Sequence, residues 1–132
     1  MNRDNGKTIC ASHGDCKKLL ELIAAELQGR SGLTALFLRT LQTELRHARV
    51  LSEKSLPPDV VALGKRVQVD DLDVRRRMMV IPVMPDDVVS GKHLSILAPL
   101  GLALFGYRAG DRVDWGPTEH LIRFRIAEVN AG

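Results

Sequence analysis

The apolar residues of this chain keep one rhythm up to about residue 51 and another afterwards. In the first part they recur at helical spacing. Leu19, Leu20, Leu22, Ile23 and Leu27 form one broad stripe. Asp15 is the expected N-cap of a helix running to about Gln28. Gly29-Arg30-Ser31-Gly32 then interrupts the pattern. A second helix is predicted over residues 33–51, with Phe37, Leu38, Leu41, Leu45 and Ala48 on one face. Two helices joined by so short a break make an antiparallel hairpin. Each would be about 25 Å long at 1.5 Å per residue. Ahead of them, residues 7–11 suit a short strand.

Ser55-Leu56-Pro57-Pro58 is the clearest boundary, because a double proline ends helical structure and stiffens the chain. Beyond it, Lys65-Arg-Val-Gln-Val-Asp70 alternates with period two, as a half-buried strand does. Asp71-Leu72-Asp73 is a turn, residues 74–83 a longer strand and residues 84–91 a polar loop. The stretch 93–115 reads as a strand, a helix opened by Pro99, glycine stops at Gly106 and Gly110, and another strand. A last strand is expected over residues 120–129. The predicted fold is α+β, with a short helical hairpin in residues 1–56. Residues 57–132 form a domain with a mostly antiparallel sheet and one short helix.

Composition narrows the functions open to such a chain. Its 132 residues are 45% hydrophobic, enough for a core, but only 4% aromatic, which is poor provision for stacking nucleic-acid bases. The net charge of +3 is too small for a protein that coats DNA, and no sequence-specific DNA binding is expected. All of that excess lies in residues 1–56, so an acidic partner would be met mainly there. The longest apolar run, residues 94–107, is too short to span a bilayer. With two cysteines and no recognisable targeting segment, a cytoplasmic monomer without structural disulfides is expected.

Candidate chemistry is sparse. Cys10-x-x-His13-x-x-Cys16 offers three zinc-type ligands where a closed site needs four, so chance spacing is the reading and no metal is expected. Arg75, Arg76 and Arg77 alternate on a strand and cannot point one way, so ion pairs with Asp70, Asp71 and Asp73 are expected. Arg39, Arg46 and Arg49, spaced seven and three apart, share a face of the second helix and give the hairpin a basic side. No catalytic residue and no cofactor are assigned.

Three segments carry a resemblance to a known family. They are Leu41-Gln-Thr-Glu-Leu-Arg-His-Ala48, then Pro58-Asp-Val-Val61 with Val67, and Leu94-Ser-Ile-Leu-Ala-Pro-Leu-Gly-Leu-Ala-Leu-Phe-Gly106 with Gly110-Asp111 and Val113-Asp-Trp115. Together they resemble the Gre transcript-cleavage factors of bacteria, in the branch named for regulating nucleoside diphosphate kinase. The resemblance implies an FKBP-like C-terminal domain behind a coiled-coil hairpin. It also implies binding of RNA polymerase near its secondary channel, with the kinase as a second candidate partner. Leu97, Ala98, Pro99 and Gly101 fall on the family's docking signature, although cleavage factors commonly have a polar pair where Leu97 and Ala98 stand. Fold alone does not make this a prolyl isomerase.

In the long-hairpin members, paired acids at the hairpin tip help hold magnesium and activate water for RNA cleavage. The tip of this chain is Gln28, Gly29, Arg30 and Ser31, followed by Gly32, and it contains no Asp or Glu. Metal-assisted cleavage needs carboxylates there. The expectation is therefore a polymerase-binding regulator without cleavage activity. The competing expectation is a cleavage-competent factor using acids elsewhere, such as Asp86 and Asp87.

Overall fold

A computed structural model describes residues 8–131. Strand β1 (Cys10–Ser12) leads directly into helix α1 (His13–Leu27), and α2 (Gly32–Arg46) follows it. Ser12, not Asp15, caps α1: its hydroxyl accepts the Asp15 N–H at 3.1 Å. Asp15 lies inside the first turn, where a carboxylate also complements the helix dipole. Residue 7 of the expected strand lies outside the described residues, and the strand itself is Cys10–Ser12.

The second helix ends five residues earlier than its periodicity suggests. Arg49–Leu51 form β2, which pairs parallel to β1 with Cys10 opposite Arg49. The Arg49 N–H donates to the Ile9 carbonyl at 2.9 Å. Tertiary strand pairing thus overrides a helical pattern that Ala48 continues. It also removes Arg49 from the face on which it was expected beside Arg39 and Arg46.

The second part is a five-stranded sheet of order β5-β4-β3-β7-β6. Its strands are β3 (Arg66–Asp71), β4 (Arg76–Val83), β5 (His93–Ser95), β6 (Arg112–Trp115) and β7 (Ile122–Asn130). All pairings are antiparallel except β4 with β5. Helix α3 (Pro99–Leu104) lies between β5 and β6. Strand β4 begins at Arg76, because Asp71 Oδ1 accepts the N–H groups of Asp73 (3.0 Å) and Val74 (3.2 Å) and tightens the preceding turn. Arg75 sits in that turn with φ +55° and is not a strand residue. The final strand starts two residues later than expected, after a short helical turn at Thr118–His120.

One apolar cluster joins the two parts. Leu19, Ile23, Phe37, Leu38, Leu41 and Leu45 from the hairpin pack with Ile96, Leu102, Phe105, Trp115 and Phe124 from the sheet side. The Phe37 and Trp115 rings are 5.9 Å apart, and Tyr107 meets Phe124 edge-on at 6.1 Å.

Candidate functional site

The segment from β5 into α3 is built by its own backbone. Ile96 donates to the Val83 carbonyl (2.8 Å), Ala98 to the Ser95 carbonyl (2.9 Å), and Ser95 Oγ accepts the Leu97 N–H (3.1 Å). Pro99 then starts the helix where no N–H is required. Leu97 and Ala98 are half-buried and Pro99 is exposed. Gly101 is buried, and a Cβ there would stand 2.5 Å from the Ser95 carbonyl oxygen. Its glycine is what lets α3 close over the end of β5. Of the four docking candidates, three reach the surface and Gly101 supports them from beneath.

At the hairpin tip, Gln28, Gly29, Arg30 and Ser31 are all exposed. Gly29 and Gly32 take φ +73° and +76° to reverse the chain. Arg30 bonds back to Glu26 at 3.0 Å, so the nearest acid is occupied by the tip's own cation. Beside the tip, Leu33 (38%) and Leu36 (41%) are exposed, which helical spacing alone did not signal. Arg39 and Arg46 are exposed on α2 and Arg49 on β2. None of the three forms an ion pair among the described residues. Asp86 and Asp87 are exposed on a helical turn between β4 and β5.

The sheet's outer face treats its arginines differently. Asp70 accepts from Arg77 (2.7 Å) and Arg125 (3.4 Å), Arg123 pairs with Asp73 (3.2 Å), and Arg112 with Asp114 (3.1 Å). Hydrogen bonding to Arg77 holds the Asp70 carboxyl below its usual range. The expected pairing of the 75–77 run with nearby aspartates is thus realised through Arg77.

Glu44 is the functional-looking group that sequence reasoning missed. It lies three residues after Leu41 and seven after Phe37, on the apolar side of α2. Its Oε1 accepts the Trp115 indole N–H at 2.7 Å, and its Oε2 accepts the Tyr107 hydroxyl. Burial pushes its carboxyl pKa up, against the lowering effect of those two bonds. A carboxylate on an apolar stripe was the available signal.

A polar cleft of about 140 Å³ lies between Ser12, Asp15, Glu53, Leu56, Ala62, Leu63 and Lys65. Asp15 Oδ2 accepts the Leu63 N–H at 3.2 Å, and burial raises its pKa. Lys65 Nζ donates to the carbonyls of Pro58 and Val60, each at 3.1 Å, and burial lowers its pKa. Among the described residues, no group of three or more His, Cys, Asp and Glu side chains is arranged to hold a metal ion. Cys16 is buried beside the Leu45 carbonyl, Cys10 is half-buried, and His13 is exposed. No described helix is long and apolar enough to cross a membrane.

These features define an α+β protein whose helical hairpin is seated on a five-stranded sheet. The family described as "Transcription elongation factor, GreA/GreB, C-term" matches residues 56–131. The chain belongs to the GreA/GreB family. It is 40% identical over 78 residues to the regulator of nucleoside diphosphate kinase of Escherichia coli K12, covering 57% of this chain and 56% of that protein. It is 33% identical over 126 residues to the transcription elongation factor GreA of Thermodesulfovibrio yellowstonii, covering 90% and 75%. In several curated relatives the match spans little more than half their length. Among solved structures, a GreA/GreB elongation factor from Nitrosomonas europaea superposes with a TM-score of 0.68 at 32% identity, covering 94% of this chain and 98% of that one.

Proposed function

We propose that this protein is a cytoplasmic, non-enzymatic regulator that binds RNA polymerase near its secondary channel. The observation that carries the reading is the tip: an acid-free turn whose only charge, Arg30, is held by Glu26. A family member built this way keeps the docking scaffold and lacks the carboxylates that cleavage chemistry needs. Its α2 has 15 residues, about 22 Å at 1.5 Å per residue, so it reaches the channel mouth more readily than its depth. Leu97, Ala98 and Pro99 offer an apolar contact in place of a polar one. Arg39 and Arg46, which form no ion pair among the described residues, present positive charge to an acidic partner surface.

Stalled elongation complexes with labelled RNA test this reading. The protein should bind purified polymerase and leave the transcript length unchanged. Transcript shortening that disappears in an Asp86→Asn/Asp87→Asn variant would instead establish a cleavage factor. A second reading is favoured by the 40% identity to the regulator of nucleoside diphosphate kinase: control of that kinase's level or activity. Direct binding of purified kinase, with no binding of polymerase, would favour it.

A further inference from the structure

We propose that Glu44 is a positioning residue that pins the hairpin to the sheet at one fixed angle, so that the protein docks as a single rigid body. The consequence for docking rests on the polymerase-binding reading; the pin itself does not.

The apolar contacts across this seam are strong, and their packing narrows the range of angles without a directional bond to hold one of them. The hydrogen bonds of Glu44 do specify one. Each carboxylate oxygen takes a donor from a different element: Trp115 Nε1 on β6 at 2.7 Å, and the Tyr107 hydroxyl from the turn after α3. Two donors on one planar group fix rotation as well as distance. Neither donor swings freely, since Trp115 packs on Phe37 and Tyr107 on Phe124. Buried polar groups of this kind are best known for setting register and orientation.

Two further polar ties across the seam lie at the hairpin's base. Asp15 takes the Leu63 N–H at 3.2 Å, and Cys10 N–H donates to the Gly106 carbonyl at 3.1 Å. Glu44 also lies near the base, at the C-terminal end of α2. The tip at Gly32 is twelve residues away, about 18 Å along the helix. Ten degrees of looseness at the base would therefore move the tip by about 3 Å, by the same helix geometry. The Glu44 carboxylate thus acts with these two ties to set where the tip is presented.

Residual dipolar couplings on the full ¹⁵N-labelled chain test the pin. In the wild type, the amides of α1 and α2 and those of β3, β4 and β7 should fit one common alignment tensor. Glu44→Gln keeps an acceptor for Trp115 and an amide that can bond to the Tyr107 oxygen, so it should retain the common tensor. Glu44→Leu fills the volume without the bonds. Its helix couplings should shrink relative to the sheet's, with loss of the common fit. A Glu44→Leu protein that folds and still fits one unchanged tensor overturns the proposal. If Glu44→Leu does not fold, Tyr107→Phe and Trp115→Phe each remove one donor; the proposal then requires a reoriented or less ordered hairpin in at least one of them, and an unchanged tensor in both overturns it. Where the hairpin loosens but polymerase binding does not weaken, the pin stands and the polymerase reading of the hairpin fails.

Discussion

The hairpin and the sheet differ in how much of their charge is paired. On the sheet's outer face, Arg77, Arg112, Arg123 and Arg125 are paired with three aspartates, Asp70 being shared by Arg77 and Arg125. On the hairpin side, Arg39, Arg46 and Arg49 carry charge that no described residue matches, and Leu33 and Leu36 are exposed beside the tip. Between the two lies the seam, where the carboxylate of half-buried Glu44 is bonded twice. Exposed ion pairs add little to stability. A face whose charges are mostly paired offers a partner less field than one whose charges are not, and the latter steers association. On the proposed reading, unpaired hairpin charge draws a partner toward the docking segment at Leu97, Ala98 and Pro99, and the seam sets the hairpin's orientation.

The largest expected effect is in the seam. Glu44→Ala removes the acceptor that Trp115 N–H and the Tyr107 hydroxyl share and opens space, and it should cost about 3 kcal/mol in denaturant unfolding. Glu44→Gln should stay within about 1 kcal/mol of the wild type, because it keeps the bonds without a buried charge. Gly101→Ala comes next: its Cβ meets the Ser95 carbonyl at 2.5 Å, and about 2 kcal/mol of destabilisation is expected from overpacking. Such a loss would mark Gly101 as part of the scaffold of the docking segment.

The double reversal Arg39→Glu/Arg46→Glu should weaken polymerase binding by about tenfold at low salt and by less at high salt. Reversing Arg123 should change binding little. Equal effects from the two faces would erase the distinction between them.

The pH dependence of stability separates seam from surface. Burial raises the pKa of Glu44 and of Asp15 in the folded state. Their contribution is therefore fully present below the ordinary carboxylate values and declines as pH rises through the raised ones. Asp70 is lowered, so its contribution is present above the ordinary aspartate value and is lost as pH falls through the lowered one. Urea midpoints for Glu44→Gln should show a shallower decline on the rising-pH side than those of the wild type. Arg77→Ala should blunt the acid side only, the smallest of these effects.

Much of the fold was legible because local and tertiary preferences agree. The alternation around Val67 and Val69, the helix started by Pro99 and the stops at Gly106 and Gly110 each appear where expected. The misses fall where a distant segment decides. Nothing near Ala48 reveals that Ile9 will accept the Arg49 N–H and draw the chain out of its helix. Ser12 outcompeted Asp15 as the cap because β1 runs into α1 without a loop. At the candidate site, the acid-free tip could be read directly from residues 28–32. The buried position of Gly101 and the two bonds of Glu44 depend on packing between parts that are far apart in sequence.

The most direct measurement is a competition titration on purified bacterial RNA polymerase carrying a bound, labelled GreA factor. This protein should displace GreA in a saturable, salt-sensitive manner and suppress GreA-dependent transcript cleavage without shortening the transcript itself. Undiminished GreA occupancy at saturating concentrations of the protein would contradict the polymerase-binding reading.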